Sequence, residues 1–446
     1  MKEYYDSLGT SDYNSESNTS ESITSESISS ESISSESISS ESISTTEKQI
    51  ELSGEIIKNY NIIYEIGSGA FSTVWLAFNI NDNNYYAIKV QNSNDYEDGQ
   101  NEINILKKIG NSNEYINSLK FNFIESLFVE SSIEKFPCSV FELCAGNLYT
   151  LGKKGKYKNG YPSNIVKTIF KQLCLAVQKL HNEDKLFHGD IKPDNILVSG
   201  INNKDKKCME LYTQNNFNNL YSRIKKEYWI KKGKNIKNIK KMPTETKYKI
   251  RKKIHQTIIN NIMDNTSKES KNHMDKKYFD NIKIKLTDFG HYCPDDEFMD
   301  EDFGTTYYRA PEIILMGDCR KPVDIWALGC TLYELLTGEI LFDPDDSDNK
   351  EEYNHLKLII ELCGNFKLEY LKTTKYYKDY FDKNGNLKYF KLDNYIDIKE
   401  KLNKKLVDKE ISDLDGCIDL LSKMIKLSFR KRLTIDEVIN HKWFNF

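Results

Sequence analysis

Three absences bound this 446-residue sequence before any motif is considered. Its nine cysteines form no Cys-x-x-Cys pair and are odd in number, which argues against a disulfide framework or zinc knuckle and for reduced thiols. No run approaches the roughly 18 apolar residues needed to span a bilayer, and the first six residues carry no apolar signal core. Neither sign of charge dominates: 63 Lys+Arg stand against 67 Asp+Glu, a net of −4. Wholesale coating of nucleic acid or an acidic membrane is therefore not expected. Secretion and membrane insertion are excluded on this reading, and a cytoplasmic or nuclear setting is expected. What is present is 39% hydrophobic residues, a real core diluted by polar segments. At about 100–200 residues per domain, the length suggests two or three structural units.

The near-balance of charge hides unlike regions. Residues 15–44 are six copies of a Ser-Glu-Ser pentad. A period of five fits neither a helix stripe nor strand alternation, and one Ile per pentad cannot offset the entropy of ordering. Residues 1–50 are accordingly expected to be a disordered acidic tail. Residues 200–282 hold 21 Lys/Arg against 8 Asp/Glu, a net of +13, which leaves −17 for the rest. Tyr228-Trp-Ile-Lys-Lys and Thr257-Ile-Ile-Asn-Asn-Ile-Met read as short helical pieces, but no long apolar face recurs. This stretch is expected to be a basic surface insertion that loops outward. RNA binding through it would rest on charge alone, without a stacking or groove-reading module, so nucleic acid is not an expected partner.

The remainder reads as globular sequence. Tyr60-Asn-Ile-Ile-Tyr-Glu-Ile, Thr73-Val-Trp-Leu-Ala-Phe and Tyr85-Tyr-Ala-Ile-Lys-Val read as strands, and Asn101–Ile109 as a short helix. Beyond Ser163 the spacing of Ile165, Ile169, Leu173, Val177 and Leu180 is helical. A strand-rich front and a helix-rich back predict two lobes.

The chemistry-bearing residues fall in a fixed order. Ile66, Gly67, Ser68, Gly69, Ala70, Phe71, Ser72, Thr73 and Val74 form a glycine-containing turn between two strands, where backbone amides can approach phosphate oxygens. A dinucleotide-binding fold would need a helix directly after the turn, and a strand follows instead. Lys89 lies on the third strand and Glu102 thirteen residues on, a cation and an anion that can hold each other. Then come His188-Gly189-Asp190-Ile-Lys192-Pro-Asp-Asn195, Leu286-Thr-Asp288-Phe289-Gly290, Ala310-Pro311-Glu312, Asp324-Ile-Trp326-Ala-Leu-Gly329 and Arg432. Ser72 replaces a third glycine, and Gly189 stands where an arginine is usual.

With these motifs in this order, the chain resembles a eukaryotic-type serine/threonine protein kinase over residues 60–444. The resemblance implies an α+β, bilobal fold, with a β-rich N-lobe at about 60–140, a hinge near Phe141-Glu-Leu-Cys144 and a helical C-lobe at about 145–444. It implies ATP and Mg²⁺ as cofactors, with ATP held by residues 66–74, Lys89 and Glu102. Asn195 and Asp288 would hold Mg²⁺, Asp190 would accept the substrate proton, and Lys192 would neutralise the transferred phosphoryl. Glu312 and Arg432 would form a buried ion pair, and Asp324 would brace the catalytic loop. Phe71-Ser-Thr-Val-Trp75, Tyr157–Pro162, Tyr308-Arg309, Leu341-Phe-Asp-Pro and Leu358–Gly364 are similar to the SR-protein kinases, which also split the domain where residues 200–282 sit. Residues 365–412 match the extra insertion of the larger group containing cyclin-dependent, MAP and SR-protein kinases. The expected partners are protein substrates, with a monomeric enzyme and no membrane, inside the host cell if the source is viral. Asp295, Asp296, Glu297, Asp300, Glu301 and Asp302 near the acceptor end favour basic or Arg/Ser-rich substrates. The alternative is a pseudokinase scaffold that binds ATP without turning it over; the phosphate lysine and both aspartates, whose loss marks such proteins, are all present.

Overall fold

In a computed structural model, residues 50–129, 132–153, 157–215, 217–233, 243–266, 279, 281–295, 303–345, 350–392 and 396–444 are described. The expected Ser/Glu tail lies outside them. The chain divides into two compact units. Of the described residues, the smaller takes in those at 50–64, 78–84 and within 217–259; the larger takes in those at 65–77, within 85–215 and within 260–444. Every candidate site residue lies in the larger unit.

Strand-forming, β-branched and aromatic sequence makes the front of the chain. The strands are β1 (Ile56–Ile57), β2 (Tyr60–Ser68), β3 (Ser72–Asn79), β4 (Asn84–Gln91), β5 (Phe121–Val129) and β6 (Ser132–Glu142). They form one sheet in the order β1-β2-β3-β4-β6-β5. Between β4 and β5 runs helix α1 (Tyr96–Ile109), which buries Ile103, Ile105, Leu106 and Ile109. Acidic Glu97 and Asp98 open it, Lys107 and Lys108 close it, both favourable to its dipole, and Gly110 at φ +65° ends it with its N–H on Leu106 O.

After Glu142 the chain becomes helical, as the sequence predicts. Helix α2 (Ser163–Gln178) buries Val166, Ile169, Phe170, Leu173 and Val177 at spacings of three and four. Two small antiparallel sheets position the chemistry: β10 (Ile284–Leu286), β9 (Ile196–Ser199) and β7 (Cys144–Asn147) in one, β11 (Cys293–Pro294) and β8 (Leu186–Phe187) in the other.

The expected insertion departs from the sequence reading in one respect. Its ends do meet: β9 pairs β10, and Ser199 N–H donates to Lys283 O at 2.8 Å. Its body, however, is far from structureless. It forms α3 (Asn203–Gln214), α4 (Phe217–Lys231) and α5 (Thr244–Thr266). On α5, Ile250, Ile254 and Ile258 are buried at spacing four with Ile259 beside them, a stripe that the surrounding polar and basic residues conceal from a composition count. Tyr248 Oη donates to Glu55 Oε2 at 3.1 Å, and Lys252 pairs with the same carboxylate. In the larger unit, Asn202 caps α3 through Asp205 N at 2.8 Å and donates to Ala145 O at 2.9 Å. Tyr85 on β4 donates to Met209 O at 3.0 Å and lies edge-on to Tyr212. Phe279, near the far end of the segment, packs on Tyr157 and Tyr161 with ring centroids at 5.0 and 6.0 Å.

Helix α6 (Pro322–Thr337) is buried on every side from Val323 onward, as a continuous Ile-Trp-Ala-Leu run requires. Proline opens it and Gly338, at φ +74°, closes it with its N–H on Glu334 O at 2.7 Å. Trp326 stacks on Phe342, which in turn meets the ring of His355 on α7 (Glu351–Cys363). No described helix is long and apolar enough to cross a membrane.

Candidate active site

The nine residues proposed for phosphate binding run from the end of β2 (Ile66, Gly67, Ser68) through the turn Gly69–Phe71 to the start of β3 (Ser72, Thr73, Val74). Gly69 N–H donates to Ser72 O at 2.9 Å, closing the turn on itself. A Cβ built on Gly67 or Gly69 would meet nothing nearer than 3.9 Å. The protein itself leaves room for side chains there, so what glycine preserves is open space beside the backbone amides. Phe71 at the tip is 55% exposed.

Lys89 is fixed from two sides. Its Nζ donates to both carboxylate oxygens of Glu102 at 2.8 Å and to Asp288 Oδ1 at 2.9 Å. Glu102 is buried on α1. Burial alone would push the lysine pKa down, but the two carboxylates outweigh it and hold it above its ordinary value. Burial likewise opposes ionisation of Asp288, yet Lys89 brings that carboxyl down to about 2. Asp288 itself sits at φ +66°, a left-handed backbone that non-glycine residues seldom adopt. Phe289 behind it is buried, with its ring 5.0 Å from that of His188.

Asp190 lies at the centre of a second network, and each of its carboxylate oxygens is committed. Oδ2 accepts from Lys192 Nζ at 2.7 Å and Asn195 Nδ2 at 3.0 Å. Oδ1 accepts from Thr305 N at 2.9 Å and Thr305 Oγ1 at 2.8 Å. Lys192 also donates to Thr305 Oγ1, closing a ring of three side chains. Burial works against ionisation of Asp190, but Lys192 and then Thr305 hold the carboxyl below its ordinary pKa. Asn195 gives both Nδ2 bonds to Asp190, to O at 2.8 Å and to Oδ2, which turns its Oδ1 away from that residue.

Asp324 at the start of α6 braces the loop from below. Its Oδ2 accepts from His188 N at 2.8 Å and His181 Nε2 at 2.9 Å, and its Oδ1 from Gly189 N at 2.9 Å. Burial raises its pKa, and the His181 hydrogen bond and charge more than reverse that. His188 Nδ1 accepts from Asp190 N at 3.2 Å, leaving Nε2 to donate to Thr287 O at 3.1 Å. The Arg432 guanidinium meets Glu312 bidentately, both fully buried, and stands 5.0 Å over Trp326.

Gly189 has a steric meaning the sequence did not reveal. It sits at φ +80°, and a Cβ there would lie 2.4 Å from His291 O. Gly304, at φ +74°, would place its Cβ 2.6 Å from Gly189 O. The start and end of the 291–304 segment thus close on the catalytic loop where neither position admits a side chain. Of the acidic residues expected near the acceptor, Asp296, Glu297, Asp300, Glu301 and Asp302 lie outside the described residues. Asp295 is paired with Lys321 at 2.8 Å.

The structure thus brings together Lys89, Glu102 and Asp288, and separately Asp190, Lys192 and Asn195. Sequence reasoning missed the part played by Thr305 and His181; a threonine 115 residues from its aspartate carries no local signal.

Comparison with known proteins shows the family. The model of the protein kinase domain matches residues 60–211 and 208–444. A serine/threonine-protein kinase of Acanthamoeba polyphaga mimivirus is 26% identical over 90% of each chain. The serine/threonine-protein kinase SRPK of Physarum polycephalum is 28% identical over 87% of each, and protein kinase dsk1 of Schizosaccharomyces pombe 26% identical over 86% of this chain and 80% of its own. The chain belongs to the protein kinase domain family, as a serine/threonine kinase similar to the SR-protein kinases.

Proposed function

We propose that this enzyme transfers the γ-phosphoryl group of ATP to serine or threonine hydroxyls of basic protein substrates, with Asp190 as proton acceptor. The observation that carries the reading is the double engagement of Lys89, held at once by buried Glu102 and by Asp288. That arrangement fixes an ammonium where it can meet α/β-phosphates and keeps Asp288 ionised beside it. Residues 66–74 cover the phosphates with backbone amides. Asp190, held ionised by Lys192 and Thr305, accepts the substrate hydroxyl proton. Lys192 then balances charge on the group in transit.

The donor set fits Mg²⁺. Asp288 meets Lys89 through Oδ1 and leaves Oδ2 outside that contact, and Asn195 turns Oδ1 away from Asp190. Among the described residues no three His, Cys, Asp or Glu side chains form a metal cluster. One carboxylate oxygen of Asp288 and one amide oxygen of Asn195 would hold such an ion, hard oxygen donors of the kind Mg²⁺ takes, and its charge would help neutralise the phosphates.

Intact Lys89, Asp190 and Asp288 weigh against the scaffold alternative. Incubating the purified chain with γ-labelled ATP and a degenerate serine-peptide library tests both halves. Label transfer with enrichment of Arg or Lys flanks supports the reading, while nucleotide binding without transfer means a scaffold. Selection of acidic flanks would reject basic substrates. Residues 200–282 are proposed as an insertion within the 60–444 kinase domain, and the enzyme as a monomer.

A further inference from the structure

Asn92, three residues past Lys89, stands where three parts of the site meet. Its backbone N–H donates to Phe71 O at 2.9 Å, and its side-chain Nδ2 donates to Ala70 O at 3.1 Å. Two successive carbonyls at the tip of the glycine-containing turn are therefore held by one residue. Its own carbonyl accepts from Asp95 N at 3.2 Å, closing the turn that launches α1 and hence Glu102. Glu102 in turn holds Lys89.

The geometry has a consequence for phosphate binding. In a trans peptide the N–H points opposite to the C=O. Anchoring Ala70 O and Phe71 O on Asn92 turns the N–H groups of Phe71 and Ser72 the other way. Packing does not define this tip, since the Phe71 side chain is largely exposed. Hydrogen bonds from Asn92 and the Gly69–Ser72 closure do.

We propose that Asn92 is a positioning residue for the nucleotide phosphates: it orients the amides at the tip of the turn and ties that tip to the helix carrying Glu102. The proposal rests on the nucleotide-site reading above, and the experiment separates the two. ATP affinity is measured directly, by a fluorescent ATP analogue, on the full chain and on Asn92→Ala, Asn92→Asp and Lys89→Met. Asn92→Ala, which loses one neutral hydrogen bond, should weaken affinity by about three- to tenfold. KM for ATP should rise in step, with turnover at saturating ATP falling less, and amide exchange at residues 69–72 should quicken. Asn92→Asp, which sets an acceptor against Ala70 O, should weaken affinity further. A merely structural role would lower thermal stability without this split between KM and kcat. Unchanged affinity and exchange in both Asn92 variants, with Lys89→Met weakened, overturns the role of Asn92 alone. Unchanged affinity in Lys89→Met overturns the site reading beneath it.

Discussion

The catalytic loop and the basic segment after it are adjacent in sequence and opposite in construction. Residues 188–195 are densely hydrogen-bonded: the Asp190 carboxylate accepts four bonds, and Asp324 on α6 accepts the backbone N–H groups of His188 and Gly189. Residues 200–282 are rich in Lys and Asn, and their described helices are held by a sparse apolar stripe and a few anchoring bonds. On the proposed reading, one lost atom in the first region should disable chemistry and leave the fold, whereas a lost side chain in the second should disturb the fold and leave the chemistry.

The largest effect belongs to the catalytic loop. Asp190→Asn keeps the shape and removes the proton acceptor, so turnover should fall by about 10²–10⁴ with ATP affinity nearly intact. Steady-state kinetics with a serine peptide and direct ATP titration check it; wild-type turnover would sink the mechanism.

Next comes Gly189→Arg, which restores the residue usual at that position. Sequence logic alone predicts a gain, a new site for an activating phosphate. The structure predicts loss, because Cβ would meet His291 O and the left-handed backbone costs about 1–2 kcal/mol for a side chain. Activity should drop at least tenfold and the melting temperature by several degrees.

This contrast also explains what the sequence could and could not disclose. That Lys89 would meet Glu102 and Asp288, and Asp190 would meet Asn195, was legible because the proposed chemistry demands particular residue types at particular spacings. The two-lobed order of strands then helices was legible from the switch in hydrophobic period. Thr305 was not, since its bonds to Asp190 exist only after a long segment folds back. Gly189 looked like a missing arginine, and only its φ and the approach of His291 O show a steric requirement. The helices of the insertion were hidden for a different reason. Ile250, Ile254 and Ile258 keep helical spacing, but Arg and Lys between them make the composition read as solvated surface. Composition averages over both faces of a helix, whereas burial selects one.

The insertion supplies the third test. Ile254 is fully buried, so Ile254→Asp should cost about 3 kcal/mol or more, through lost apolar burial and a carboxylate without water. Ile254→Leu should cost about 1 kcal/mol. The sequence reading of an outward loop predicts no change for either. Denaturant unfolding decides between them. Replacing residues 205–278 by a short linker should, for the same reason, destabilise the chain rather than leave it untouched.

A fourth test compares one buried histidine from each compact unit, His255 in the smaller and His355 in the larger. Burial, with Arg251 beside the first and Arg309 beside the second, lowers each pKa to about 3. The unfolded chain takes up these protons near pH 6.5. Between about pH 6.5 and 3 the unfolded state therefore binds more protons, and stability falls as pH falls through that window. The melting temperature should drop measurably from pH 7.5 to 5. His355→Phe, which keeps a ring against Phe342, should flatten the slope without abolishing it, because His255 still contributes.

The smallest expected effect lies where the basic segment meets strand β4. Tyr85 is on β4, four residues before Lys89, and its phenol reaches across to Met209 O and Thr213 Oγ1 on α3. Burial lifts that phenol's pKa to about 12, so it remains a donor across the working pH range. Tyr85→Phe deletes the hydroxyl and keeps the ring against Tyr212, which isolates the hydrogen bond from the packing. A neutral intramolecular bond contributes about 1 kcal/mol net, so global stability should fall by roughly that amount. The informative part is local. If α3 is a fixed part of the catalytic unit, its amides at residues 208–214 should exchange several-fold faster in the variant while those of β9 do not change. KM for ATP should move by less than about twofold, because Lys89 keeps both of its carboxylate partners. A tenfold rise in KM would mean that the insertion's first helix reaches the nucleotide site through β4, and the line drawn between chemistry and scaffold would have to pass through α3 instead of ending before it.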